Sequence, residues 1–222
     1  MEPEISRKTL DLLGSPVTGA LVNLDARAPY ANQIRTAQSF FANRPRFIRD
    51  ILLKPEPKQR YIDVDGLVPH IRKLLAFDIV GVTEKELGST LLERATAVAR
   101  LRGALDQHEV DRPIHLFGSL DTLFTPLYFL MGAEIFDGLT WMRYSYYAGQ
   151  TLHFEALPLI TGNLTLRDDQ RAARVLTSNL DYLLRLKEDM RRYLMTKKMS
   201  VFGEIAPVIS KGVETVMSHL KV

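Results

Sequence analysis

Cysteine is absent from this 222-residue chain, which excludes disulfides, thiolate zinc sites and a cysteine nucleophile together. The histidines, His70, His108, His115, His153 and His219, are scattered, with no pair at metal-ligand spacing. No metal and no cofactor are therefore expected. No apolar run reaches the roughly 18 residues of a membrane-spanning helix. The opening "MEPEISRKTLDLL" has acidic residues where a signal peptide needs a basic leader and an apolar centre. A cytoplasmic protein with no membrane partner is expected. There is no Gly-x-Ser-x-Gly elbow and no glycine-rich phosphate loop, so an unrelated α/β hydrolase finds no support. Internal repeats and low-complexity segments are missing too.

What is present is the make-up of an ordinary globular domain, 46% hydrophobic and 25% charged. The formal charge is only +3, yet nine Lys or Arg face five Asp or Glu between Arg167 and Lys198. Such a stripe suits phosphates, or it is a solvated helix face.

Up to residue 137, short apolar runs alternate with amphipathic stretches. "GALVNLD" (19–25), "RDILLKPE" (49–56), "FDIVGVTEKE" (77–86), "RPIHLFGS" (112–119) and "AEIFDG" (133–138) read as buried parallel strands. Helical spacing falls at 30–43, 64–75, 89–108 and 120–131, clearest where Leu91, Leu92, Ala95, Val98, Ala99, Leu101 and Leu105 recur. Strands alternating with helices predict a β/α architecture. The polar ends Asp25, Lys54, Glu56, Thr83, Glu84, Ser119 and Asp137 all follow their strands, the side that carries the active site in a parallel barrel. A full barrel takes about 250 residues, and only five βα units precede residue 140. Part of a barrel or a smaller open sheet is expected. Beyond it, an extended pair is expected around Ala148-Gly149. "TLRD" (165–168) has the form of a capping signal opening a helix to about Met195, and a last helix should cover 204–220.

The block "RPIHLFGSLDTLFTPLYFLMGAEIFDGLTWMR" (112–143) resembles the end of the barrel in the tRNA-guanine transglycosylase family. The features that carry the resemblance are Gly118 at a strand end, Gly132, Phe136-Asp137, and Arg143 six residues after that aspartate. "ALVNLDARAPYANQIRTAQSFF" looks like the family's fourth strand, "DILLKPE" and "FDIVGVTEKELG" stand where its fifth and sixth belong, and "VLTSNLDYLLRLKEDMRRYL" looks like its closing helix. The likeness covers about residues 17–195.

It implies an α/β fold, a partial TIM-type (β/α) barrel equivalent to strands 4 to 8, over 1–160, with a C-terminal helical extension over 161–222. It implies exchange of guanine for a 7-deazaguanine-type base in tRNA or DNA. Asp137 would be the nucleophile, a carboxylate held under the sugar as in covalent glycoside cleavage. Asp25 would accept from the guanine edge, with Lys54 and Gly118 beside it and Phe117 stacking on the base. Arg143 would face a phosphate, and Arg167, Arg171, Arg191 and Arg192 would extend the nucleic-acid surface.

The chain departs from the family in three ways. Lys54 replaces the base-reading glutamine, and "TEKELG" replaces a glycine-rich turn. The three-cysteine, one-histidine zinc site is missing, with Ser178 where the histidine belongs; zinc-free relatives that modify DNA exist in the wider superfamily. The family's Asp-Ser-Gly-Gly-Tyr segment, which supplies the general base, does not occur in these residues. A partner chain, in a hetero- or homo-oligomer, is expected to supply it, because part of a barrel leaves sheet edges to be covered. The alternative is a non-catalytic accessory subunit of the same ancestry that binds nucleic acid or pairs with an active subunit.

Each residue also has a plainer reading. Asp137 before Gly138 is a turn cap, and Asp25 precedes the Pro29 turn. Lys54 forms a salt bridge at the barrel mouth, in company with Glu56. Glu84 and Glu86 are first-turn helix acids favoured by the helix dipole. His115 is a hydrogen-bonded core histidine. Trp141, Tyr144, Tyr146 and Tyr147 pack, or, interleaved with Arg143, stack on bases.

Overall fold

A computed structural model describes residues 19–23 and 26–220. Asp25 lies outside the described residues. The order is β1 (Ala20–Val22), α1 (Tyr30–Ala42), β2 (Ile48–Leu53), α2 (Val64–Leu67) continued as a 3-10 helix (Val68–Ala76), β3 (Ile79–Thr83), α3 (Leu91–Gln107), β4 (Ile114–Phe117), α4 (Phe124–Leu130) and β5 (Ala133–Phe136). After these come α5 (Thr140–Arg143), β6 (Tyr144–Tyr147), β7 (Gln150–His153), α6 (Ala156–Ile160), α7 (Asp168–Thr196), a 3-10 turn (Met199–Ile205) and α8 (Ala206–Leu220). The chain falls into two compact units, Met1–Phe117 with Gly132–Ile135, and Gly118–Met131 with Phe136–Val222.

The fold is α/β, with a five-stranded parallel sheet in the sequential order β1-β2-β3-β4-β5. Parallel register is set by pairs such as Val22 with Asp50, Leu52 with Gly81, and Gly81 with His115. Because side chains alternate along a strand, one face collects Ile51, Leu53, Val80, Val82, Ile114 and Leu116, all fully buried. Ile34, Ala37 and Phe41 of α1 and Ala95, Val98 and Leu101 of α3 are buried as well, and together these residues form the core of the first unit. The opposite face carries Asp50, Leu52, Gly81, Thr83, His115 and Phe117.

The helices follow local chemistry. α1 starts after Pro29, and its first N–H, that of Tyr30, donates to the Glu56 carboxylate at 2.7 Å, a negative charge at the positive end of a helix. α3 begins with a capping box, Glu93 N–H donating to Thr90 Oγ1 and Thr90 N–H to Glu93 Oε2, each at 3.1 Å. The expected single helix over 64–75 is instead one α turn followed by 3-10 backbone. Pro69 has no N–H to give to the preceding turn, and the helix tightens there.

In the second unit, β6 and β7 make an antiparallel hairpin joined by Ala148 and Gly149, whose φ values are 47° and 74°. Two positive φ values in a two-residue loop match the strands' twist, and the glycine meets that demand at one of them. Leu186, Phe202, Ile205, Ala206 and Ile209 form a core of this unit, with Tyr182, Met190 and Tyr193 packed on it. α7 opens at Asp168, with Arg167 as its cap residue. Gln170 Oε1 accepts from the Arg167 N–H at 3.2 Å, so the cap lies two residues beyond the Thr165 that "TLRD" suggested. Among the described residues no helix is long and apolar enough to cross a membrane.

Candidate functional site

On the polar face of the sheet, Asp50 stands at 1% exposure. Its Oδ2 lies 2.7 Å from His115 Nδ1 two strands away. The reach is possible because the strand between them offers Gly81, which has no side chain in the way. A Cβ there would sit 2.7 Å from Asp50 Oδ1 and 2.6 Å from Phe117 Cε2. The Phe117 ring lies against the imidazole, with centroids 3.8 Å apart at 30°. His115 is thus the hydrogen-bonded histidine that its apolar strand suggested. Sequence reading placed Asp50 at the start of a strand and gave it no role.

Lys54 continues the same face beyond β2 and is 7% exposed. Its ammonium pairs with Glu86 Oε2 at 2.6 Å and meets Thr83 Oγ1 at 3.3 Å. Glu86 Oε1 in turn accepts from Arg27 at 3.0 Å. The salt bridge expected of Lys54 is present, but with Glu86, since Glu56 is used to cap α1. Glu84 pairs with Arg94 at 2.8 Å. Cations hold these two acids, and the 3-10 helix over Glu84–Glu86 is too short to supply a dipole of its own. Gln33, 5% exposed, donates to the carbonyls of Ala28 (2.6 Å) and Lys54 (2.8 Å) and accepts from Lys54 N–H (2.9 Å). It locks the end of β2 in place.

In the second unit Asp137 follows β5 and is exposed. Its Oδ1 accepts from Gly118 N–H at 2.9 Å, and its Oδ2 meets no donor among the described residues. Gly118 has φ 82°, backbone that favours glycine, and so presents its N–H. Asp137 is therefore a cap and a carboxylate with one free oxygen at once. Asp121 caps α4, accepting from Leu123 N–H (2.8 Å) and Phe124 N–H (3.1 Å), while its other oxygen takes the Thr151 hydroxyl at 2.7 Å.

Tyr146 is a packing residue, 2% exposed, its hydroxyl donating to the Leu120 carbonyl and its ring edge-on to Tyr182. Burial, with Asp189 and Asp121 nearby, pushes the Tyr182 phenol up to about 12, so both rings stay neutral at ordinary pH. Tyr144 and Tyr147 are exposed.

The five arginines assigned to nucleic acid differ. Arg143 is exposed and has no ion pair among the described residues. Arg167 pairs with Asp169 (3.5 Å), Arg171 with Asp168 (2.8 Å) and Glu155 (3.6 Å), Arg191 with Glu188 (3.1 Å), and Arg192 with Asp189.

The residues at the family's metal positions do not fit zinc. Segment 156–166 offers only Thr and Asn side chains, with Asn163 Nδ2 donating to Thr161, and Ser178 presents a hydroxyl where zinc takes Cys, His or carboxylate. Among the described residues no group of three or more His, Asp or Glu is placed to hold a metal. No family model matches the sequence, and no curated protein matches it.

Proposed function

We propose that the chain is a transglycosylase-like component for exchange of guanine for a 7-deazaguanine-type base in tRNA or DNA, working with a partner chain. The observation that carries the reading is Asp137. It stands directly after β5, with Gly118 N–H on one oxygen and the other oxygen free and exposed. A nucleophile needs that arrangement, since a fixed oxygen orients the carboxylate and a free one attacks.

The sheet order adds support. A doubly wound sheet reverses its strand order at a switch point, whereas a barrel sector would have the sequential parallel order found here. In this reading 1–160 carries the barrel strands and 161–222 the extension, a division by ancestry; the compact units follow packing instead.

The chemistry is a double displacement. Asp137 Oδ2 forms a bond to the anomeric carbon as the bond from that carbon to the guanine nitrogen breaks, guanine leaving with a proton. The nitrogen of the incoming base then takes the same carbon, loses its proton, and frees the carboxylate. Asp25 and Phe117 would receive the base, and Arg143 a phosphate. The proton must pass through a base that the partner supplies in this reading. Lys54, held by Glu86, would not read the base.

The test is Asp137→Asn in the protein purified with every co-purifying chain, measuring labelled guanine released from or built into tRNA and DNA. Exchange should fall by about a thousandfold or more with nucleic-acid binding retained. Exchange at the original rate in the variant would sink the proposal.

The accessory-subunit reading has its own support in the second unit, which exposes large apolar side chains such as Leu159 (66%) and Leu164 (70%). Covering such side chains would favour association with a partner. A stoichiometric partner that is active without this chain would favour it.

A further inference from the structure

We infer that His115, steered by Asp50, is the hydrogen-bond acceptor of a binding site on the polar face of the sheet, and that its ligand is a planar heterocycle with a ring N–H. An ionised carboxylate only accepts, so the 2.7 Å contact puts a hydrogen on His115 Nδ1. In the neutral ring Nε2 is then a lone pair, its tautomer chosen by the partner on the other nitrogen. That Nε2 is buried and has no partner among the described residues, and the same holds for Asp50 Oδ1 on a side chain at 1% exposure.

Buried polar atoms are almost always paired, because an unpaired one forfeits its hydration for nothing. Two on one dyad mark a place built for an incoming donor. Everything around the imidazole holds it still. Asp50 fixes one edge, the Phe117 ring covers a face at 3.8 Å, and bare Gly81 admits both. A fixed imidazole lone pair beside an aromatic ring selects a flat donor over a flexible one.

Lys54 is no competitor for that donor, since its ammonium already meets Glu86 and Thr83. The acceptor is argued from geometry alone; that its ligand is a heterocycle rests on the reading of the previous subsection.

The experiment uses the whole protein with 15N-labelled histidine, titrated with guanine and with 7-deazaguanine while the imidazole nitrogens are followed by NMR. The His115 Nε2 resonance should move on addition of base, and Nδ1 should stay protonated throughout. His115→Phe keeps an aromatic ring and deletes the acceptor, so guanine affinity should fall about tenfold. Asp50→Asn, which leaves an acceptor for Nδ1–H, should cost less. An unmoved Nε2, no binding of either base, or an undiminished affinity in His115→Phe would overturn the inference.

The wild-type titration stands on its own should a variant misfold. Base exchange by the wild type with undiminished affinity in His115→Phe would remove this site and leave the transglycosylase reading. Base binding through Nε2 with no exchange by the assembled protein would do the reverse.

Discussion

The first unit exposes two large hydrophobic side chains among the described residues, Phe47 and Leu75, whereas the second exposes thirteen. Seven of those thirteen, Leu139, Met142, Tyr144, Tyr147, Leu159, Ile160 and Leu164, fall within residues 139–164. The first unit covers its sheet with its own helices and keeps polar groups for the other face. The second packs short helices around a modest core, and its apolar surplus points outward. Singly exposed hydrophobics are ordinary, and what sets the second unit apart is how many of them fall within residues 139–164. The comparison separates a unit that covers most of its own apolar side chains from one that leaves many of them exposed.

Truncation should expose the difference most clearly. Ile51→Ala empties a fully buried position in the first unit and should cost about 2–5 kcal/mol in a denaturant titration. Leu159→Ala, at 66% exposure, should stay within about 0.5 kcal/mol while reducing self-association or capture of a partner. A large stability loss from Leu159→Ala would mean that the second unit covers more of itself than its exposure indicates.

The polar anchors come next. Asn179 is fully buried on α7; it accepts from Tyr146 N–H at 2.7 Å and donates to the carbonyls of Trp141 (2.7 Å) and Tyr144 (2.6 Å). One amide ties the closing helix to the hairpin, at the residue next to Ser178, where the resemblance places a zinc ligand. Asn179→Ala should cost roughly 1–3 kcal/mol by stranding the buried Tyr146 N–H. In the first unit Gly81→Ala should cost about 1–3 kcal/mol through overpacking and should separate Asp50 from His115, visible as loss of the Nδ1 hydrogen bond by NMR. If Gly81→Ala is neutral, the face is looser than the dyad requires.

These anchors show where sequence reading works and where it stops. Four of the five parallel strands lie within the apolar runs that foretold them, because strands buried in a parallel sheet are continuously apolar at their centres; β2 starts one residue before its run, at Ile48. The turn at Ala148-Gly149 was legible from its glycine. Asp50 was not, since "RDILL" reads as a polar flank before an apolar run until the register with Gly81 and His115 is known. The available signal was the alternation Asp50, Leu52, Lys54, which puts two ionisable groups on one face. Asn179 was hidden in the same way, as a polar residue on a long charged helix whose partners lie more than thirty residues away in sequence.

Acid should act on the first unit through Asp78. Burial raises its carboxyl, but the Arg49 guanidinium, donating at 2.9 and 3.0 Å, and the Arg49 N–H more than offset this and hold it below the ordinary value. A carboxyl lowered on folding contributes stability above its unfolded value, near 3.9 for a free Asp, and that stability is lost as pH falls through the lower folded value. Arg49→Met should therefore lower stability at pH 7 by less than about 1 kcal/mol, since the pair is partly exposed. Below about pH 4 the variant and the wild type should converge. Parallel curves across the acid range would mean that Arg49 contributes through packing alone.

The smallest effects should come from the arginines of α7, and they bear on the nucleic-acid surface proposed for the second unit. Arg191 and Arg192 already sit against acids three residues earlier and are largely exposed. Removing either should change stability by no more than about 0.5 kcal/mol. If the pairs hold in the complex, each arginine brings its own counter-charge to a phosphate, so few counterions are released. Arg191→Ala would then leave the salt dependence of tRNA or DNA binding almost unchanged, while Arg143→Ala, which removes a cation with no ion pair among the described residues, would lower the slope by about one. A slope that drops equally for both variants would mean that phosphate displaces Glu188 from Arg191. The basic helix would then join the interface, and the local ion pairs would be its resting state.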